Sequence, residues 1–262
     1  MSRINIAFGA TEDWLEHTFV TICSILSNAG DDEFKFYIMS DISEEEFNKK
    51  LLTVYDKLQN ISHAQTFHIE YLKMNNSDFE DVLHDMRVGI SALYRLKLSS
   101  MTKEDKIIYL DSDLVVLDNI SQLWNYNIED YLLGAVEDKY SALMTYRANL
   151  SDDDIYYNSG VLLMNLKKFR EQNLEQKIFD KLREENNDYS DQDVLNDICK
   201  GQILSLPLKY NLMLSADDEN SFPKRKEEYK TTLKSPFILH YSIKPWIIPV
   251  QYSEYWEKYN IL

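Results

Sequence analysis

Apolar residues in the first 120 positions fall in short unbroken runs, and between those runs they recur every three or four residues. Unbroken runs of four to eight suit strands buried on both faces, and the 3.6-residue recurrence suits helices lying against them. Residues 4–8 read as a buried strand ending at Gly9. Residues 12–28 read as a helix with Leu15, Phe19, Ile22 and Leu26 on one face. Residues 34–39 form the next strand. Ser43 opens a helix with Glu46 three positions on, a capping-box pattern. Residues 67–72 are strand-like, 90–98 read as a helix carrying Arg95, and the strand 107–110 runs straight into Asp111-Ser112-Asp113. This alternation predicts an α/β fold, a mostly parallel sheet with helices on both faces.

The second half is less regular. Residues 132–136 and 160–164 read as strands and 167–187 as one amphipathic helix. Ser190 caps a helix that begins Asp191-Gln192-Asp193, residues 236–240 form a last short strand, and 251–259 form a final helix. No Pro/Gly/Ser-rich linker divides the 262 residues, so residues 1–262 are expected to form one domain.

Charge narrows the function. A net charge of −16 makes nucleic acid or an anionic membrane surface a poor partner. An anionic ligand would need a metal ion or a few local cations. The two cysteines, Cys23 and Cys199, form no CxxC pair, and the N-terminus enters a strand-like run without a signal-peptide pattern. No run approaches the roughly 20 apolar residues of a membrane span. A cytoplasmic protein is expected, with peripheral attachment to the inner face of the membrane left open.

Five constellations could carry chemistry. Asp111 and Asp113 lie between apolar flanks, 107–110 and 114–117, at the end of a strand, the edge of an open α/β sheet where ligands bind. Two adjacent buried carboxylates repel unless a cation joins them, and oxygen ligands suit Mg²⁺ or Mn²⁺; the alternative is a capped, solvated turn. His240 ends an apolar run and is either a satisfied core residue or a ligand; as a ligand its nitrogen favours Mn²⁺ over Mg²⁺. Lys244 nearby could neutralise a diphosphate. Asn158 and Ser159 sit at the mouth of an apolar strand, as a turn or as groups for sugar hydroxyls. Asp191, Gln192 and Asp193 are either dipole-favoured first-turn residues or part of a site. Arg95, in an apolar helix, needs an acidic partner, and the Asp111/Asp113 pair is a candidate.

In this order the pieces resemble glycosyltransferase family 8, the retaining transferases that include bacterial galactosyl- and glucosyltransferases of surface polysaccharides and glycogenin. The resemblance rests on Ile6-Ala7-Phe8-Gly9-Ala10-Thr11 with Trp14, on Arg95, on Asp111-Ser112-Asp113, on Asn158-Ser159-Gly160-Val161-Leu162-Leu163-Met164-Asn165, on Asp191-Gln192-Asp193-Val194-Leu195-Asn196 and on His240 through Trp246. It implies a GT-A fold, with residues 1–120 mainly binding nucleotide and 121–262 forming the donor-sugar and acceptor side. It implies Mn²⁺ held by Asp111, Asp113 and His240. Uridine would be received by Phe8, Gly9, Ala10, Thr11, Asp13 and Trp14, with Ser112 also on the donor side and Lys244 on the diphosphate. Arg95, Asn158, Asp191 and Gln192 would hold the donor sugar.

The chain departs from the family where His, two residues, Gly, two residues and Lys-Pro-Trp are usual: His240 lies only four before Lys244 and the glycine is missing. A tighter loop over the diphosphate is expected. Thr11 and Asp13 stand where carboxylate and amide groups are common. The implied activity is transfer of galactose or glucose from UDP-glucose or UDP-galactose to a glycan, lipid-linked or protein-linked glycan acceptor. No second carboxylate is evident across the sugar, so front-side attack is expected, with Gln192 and Asp191 positioning or shielding the reacting centre. The rival readings are a catalytically inactive UDP-sugar-binding protein and a metal-dependent hydrolase.

Overall fold

The structure, a computed structural model, describes residues 3–82, 89–151, 153–184, 189–214, 222 and 224–262. In chain order the first half runs β1 (Arg3–Gly9), α1 (Glu12–Ser27), β2 (Glu33–Ser40), α2 (Glu44–Ile61), β3 (Thr66–Lys73), α3 (Ser91–Tyr94), a 3₁₀ turn (Arg95–Lys97), α4 (Leu98–Met101), β4 (Lys106–Leu110) and β5 (Leu114–Val116). The second half adds α5 (Ser121–Trp124), β6 (Leu133–Glu137), α6 (Ser141–Met144), β7 (Tyr157–Asn165), α7 (Leu166–Glu171), α8 (Leu174–Leu182) and α9 (Asp191–Ile198). It closes with β8 (Ile203–Leu206), β9 (Leu212–Leu214), α10 (Lys226–Lys234), β10 (Ile238–Tyr241) and α11 (Ser253–Tyr259).

The main sheet has the order β3-β2-β1-β4-β7-β6-β8. Pairing is parallel from β3 through β4, β7 is antiparallel to both its neighbours, and β8 is parallel to β6. The expected mostly parallel sheet is therefore present, with one reversed strand. Side chains alternate across it. Ile4, Ile6, Phe8, Phe36, Ile108 and Val161 enter one core with α1, α2 and α11. Ala7, Tyr37, Met39, Ile107, Tyr109 and Leu162 enter a second core beneath α7, α8 and α9. A small second sheet, β5-β10-β9, is built from residues far apart in sequence and packs beside α1.

Three local expectations change. The segment 90–98 is not one helix, because Arg95 Nε donates to Ala92 O at 2.8 Å, a carbonyl that an α-helix would offer to the amide of Leu96, and the chain tightens into a 3₁₀ turn. The segment 167–187 is two helices, broken where Asn173 takes a left-handed conformation (φ 51°); residues 185–187 lie outside the described residues. The runs 114–116, 203–206 and 212–214 are strands that the sequence pattern left unassigned.

Ser190 does cap α9. Its hydroxyl accepts from Asp193 N, while its own amide donates to Asp193 Oδ2 at 2.9 Å, a reciprocal box. Ser190→Ala is expected to cost about 1 kcal/mol, read by urea unfolding. An unchanged unfolding midpoint would remove the box as a stabilising feature. Among the described residues, no helix is long and apolar enough to cross a membrane.

Candidate active site

The chain leaves β4 at Leu110 and enters β5 at Leu114, so Asp111, Ser112 and Asp113 form the connection between the two sheets. Asp111 N donates to Gly160 O at 2.9 Å, extending the β4–β7 ladder by one residue, and Tyr241 N donates to Asp113 O at 3.1 Å from the end of β10. Helix α1 fixes the middle: Thr18 and Ser112 share a hydroxyl–hydroxyl bond of 2.8 Å, and Thr21 Oγ1 donates to Ser112 O and Leu114 O. The apolar flanks around the acidic pair are thus the two strands of a seam. Ser112 turns its hydroxyl into α1 while lining the cleft beside the aspartates.

His240, at the third position of β10, completes a cluster. Asp111, Asp113 and His240 each offer one ligand atom, and all three atoms lie within 4.8 Å of one another. His240 Nε2 is 3.4 Å from Asp113 Oδ1 and 4.0 Å from Asp111 Oδ2. Burial opposes the charge of Asp113, but His240 and Lys244 outweigh it and hold its carboxyl well below the usual range. Burial likewise opposes a charged imidazole, yet Asp113 and then Asp111 raise the His240 pKa. The ammonium of Lys244 lies directly on Asp113 Oδ2 and also donates to Tyr241 O at 2.9 Å. The shortened His-to-Lys spacing therefore leaves both side chains in reach of the same carboxylate.

β7 closes the cluster with Gly160. A Cβ there would stand 2.5 Å from His240 Cε1 and 2.8 Å from Asp111 Oδ2. Two carboxylates, an imidazole nitrogen and a backbone cut back to make room fit a divalent cation.

Behind the cluster lies Arg95, 3% exposed. Its Nη2 donates to Asp111 Oδ1 at 2.8 Å, its Nε lies 3.3 Å from Asp191 Oδ2, its Nη1 donates to Ser159 O, and its guanidinium lies over the Tyr109 ring. The expected acidic partner is thus Asp111, with Asp191 as a second. Burial raises the pKa of Asp191, opposed by Arg95. Ser159 Oγ donates to the same Asp191 oxygen at 3.0 Å.

Gln192 and Asn158 meet in a network with Asp138. Gln192 Oε1 accepts from Ser159 N at 2.9 Å and from Asn158 Nδ2 at 3.2 Å, and Gln192 Nε2 donates to Asp138 Oδ2 at 3.2 Å. Asn158 Nδ2 also donates to Asp138 Oδ2 at 3.0 Å, while Asn158 Oδ1 accepts from Gly160 N and from Asn211 Nδ2. The donors and acceptors of the Asn158 amide are all engaged within the protein. Asn158, for which the resemblance implied contact with the donor sugar, thus joins Gln192, Asp138 and Asn211 in one hydrogen-bonded network.

Gly9, Trp14, Gly89, Ser91, Arg95 and the three residues of the acidic loop line a cleft of about 180 Å³. Phe8 and Ala10 are fully buried, so their side chains serve the core and only their backbone borders this edge. Thr11 begins α1 without a side-chain capping bond, Asp13 is exposed, and Trp14 packs edge-on against Trp246 with Lys244 5.3 Å from its ring. Three larger clefts, near Arg170, near Trp124 and near Lys200, are not lined by the aspartates. We place the chemistry in the smaller cleft because Asp111 and Asp113 line it and belong, with His240, to the one three-residue cluster among the described residues whose ligand atoms could hold a metal. Tyr109, Asp138 and Asn211 join this network without a role in the sequence reading, because their partners are brought to them by the fold.

A nucleotide-binding sheet with an acidic pair at the edge of its central strand defines the GT-A class of transferases. The chain belongs to glycosyltransferase family 8, which it matches over residues 5–247. It is 28% identical to General stress protein A of Bacillus subtilis, over 93% of this chain and 87% of that protein. It is also 28% identical to the Lipopolysaccharide 1,2-glucosyltransferase of Escherichia coli K12, over 93% of this chain and 72% of that one. The crystal structure of the galactosyltransferase LgtC with donor and acceptor sugar analogues superposes with a TM-score of 0.82 at 25% identity, covering 98% of this chain and 95% of the other.

Proposed function

We propose that the protein is a retaining, Mn²⁺-dependent hexosyltransferase that moves galactose or glucose from a UDP-sugar to a glycan acceptor, free or carried on lipid or protein. The carrying observation is the convergence of Asp111, Asp113 and His240 within 4.8 Å, with both aspartates lining the same cleft as Gly9 and Trp14. The relatives named as glucosyl- and galactosyltransferases support the hexose class.

The metal, when bound, offsets the charge that develops on the departing UDP. Asp111, Asp113 and His240 hold it. Lys244 is placed to move from Asp113 to a phosphate oxygen, since its side chain remains a quarter exposed. Gly9 leaves room for the close approach of Ser91 O, which would stand 2.5 Å from a Cβ there, and Trp14 walls that edge of the cleft. Asp191 is a poor nucleophile, because Arg95 and Ser159 hold one of its oxygens and it is almost closed to solvent. Gln192, held through its amide by Asn158, Ser159 and Asp138, is a rigid neutral wall near the sugar. These features support attack by the acceptor hydroxyl on the face that UDP leaves.

The test is a screen of UDP-sugars for Mn²⁺-dependent hydrolysis without acceptor. UDP-glucose or UDP-galactose should be cleaved, EDTA should stop the reaction, and the released sugar should first appear in the donor's α configuration by NMR. Release of the β anomer would overturn retention. UDP with Mn²⁺ should raise the melting temperature by on the order of 5–10 °C at a hundredfold excess over Kd, and GDP by far less. Equal shifts would remove the uridine assignment.

A further inference from the structure

Asn211, between a 3₁₀ turn at Leu208–Tyr210 and β9, is fully buried and touches both halves of the site. Its Nδ2 donates to Asn158 Oδ1 at 2.8 Å, and its Oδ1 lies 2.9 Å from His240 Nδ1. The polarity of this chain follows from the backbone. Gly160 N donates to Asn158 Oδ1 at 2.9 Å, so that atom is an oxygen acceptor. The Asn211 atom facing it must be the NH₂ group, and the Asn211 atom facing His240 must then be the carbonyl oxygen. An amide oxygen only accepts, so His240 carries a proton on Nδ1, and Nε2, which faces Asp111 and Asp113, is the nitrogen left to offer its lone pair to a metal.

The same reasoning runs the other way. With Asn158 Oδ1 occupied by Gly160 N and Asn211, its Nδ2 must face Asp138 and Gln192 Oε1. Gln192 Oε1 is independently an acceptor, because Ser159 N donates to it. Two backbone amides, of Ser159 and Gly160, therefore set the direction of every bond from Gln192 through Asn158 and Asn211 to His240.

We propose that Asn211 is a positioning residue that locks two things with one side chain: the imidazole tautomer that presents Nε2 to the metal, and the Asn158 orientation that holds Gln192 against the donor sugar. The inference rests on the metal-dependent reading of the site. It places the metal ligand and the sugar wall on one rigid unit.

Two variants separate the functions. Asn211→Asp keeps an oxygen for His240 Nδ1–H but turns a second oxygen on Asn158 Oδ1. Asn211→Ala removes both bonds. Mn²⁺ affinity of the protein alone, from the EPR signal of free Mn²⁺ in a MnCl₂ titration at pH 8, is measured beside kcat and KM for the UDP-hexose that the wild type hydrolyses best. Asn211→Asp should keep Mn²⁺ affinity within about threefold while kcat falls about 10–100-fold. Asn211→Ala should lose about 10–100-fold in Mn²⁺ affinity as well. If the alanine variant does not fold, the split in the aspartate variant carries the test. Loss of Mn²⁺ affinity in Asn211→Asp, or unchanged kcat in it, overturns the proposal, as does a folded Asn211→Ala with wild-type values. A wild-type protein that binds no Mn²⁺ overturns the metal reading and this inference with it.

Discussion

Asp113→Asn is expected to lower UDP-hexose turnover about 10³-fold while the chain still folds cooperatively. A divalent ion held by Asp111, Asp113 and His240 would supply several kcal/mol of transition-state charge stabilisation, and each 1.4 kcal/mol is tenfold in rate. Asparagine keeps the shape of the side chain but removes the charge that draws His240 and Lys244 together. The chain tolerates the loss because Lys244 is partly exposed and can turn to water, whereas Asp111 keeps its bond to Arg95. In the metal-free protein the sign of the stability effect is also set. The folded pKa of Asp113 lies below its ordinary value, so its stabilising share is full above the ordinary carboxylate pKa and is lost as pH falls through the depressed one. Wild type and variant should differ in urea midpoint at pH 7 and converge in acid. Turnover of the variant within tenfold of wild type would remove Asp113 from the metal shell.

The parts of this site that were legible in the sequence are those built from contiguous residues. Asp111 and Asp113 stood out because the strand before them is an unbroken apolar run, and burial of that run forces the acids to a sheet edge. Ser190 announced the start of α9 because a capping box needs only residues three apart. Asn211 carried no such signal. Its partners lie 53 and 29 positions away, and they meet only because β9 pairs with β10 while β7 crosses beneath them. The three-residue strands β5 and β9 were missed for the same reason: alone they are too short to show a period, and their partner β10 is distant for β5. The strand alternation also reassigns residues within a motif. Phe8 and Gly9 are neighbours in the N-terminal segment, yet Phe8 points into the core and Gly9 lies at the cleft. The one helix expected over 167–187 fails at Asn173, whose left-handed backbone no hydrophobic period reveals.

Gly160→Ala is expected to cost about 10²-fold in turnover, and a glycine one strand away supplies the control. Gly160 lies in β7 with an ordinary extended backbone, so alanine brings no backbone penalty. The penalty is steric: the new methyl would stand 2.5 Å from His240 Cε1 and 2.8 Å from Asp111 Oδ2. Neither neighbour can retreat freely. Asp111 Oδ1 is held by Arg95 at 2.8 Å and by Tyr109 at 3.1 Å, and the His240 ring is held by Asn211 at 2.9 Å. Relief must therefore come from moving a metal ligand. A displacement near 1 Å at a reacting centre costs about 10²-fold, and overpacking adds about 1–3 kcal/mol of instability. Gly134 on β6 differs, because a methyl there would meet Leu163 Cβ at 3.4 Å and Leu206 at 3.5 Å, ordinary contacts between apolar groups. Gly134→Ala should keep both Mn²⁺ affinity and turnover near wild type, whereas Gly160→Ala should weaken both. If the two variants behave alike, the ligands are looser than their hydrogen bonds imply, and the rigid centre argued from Arg95, Asn211 and Gly160 is wrong.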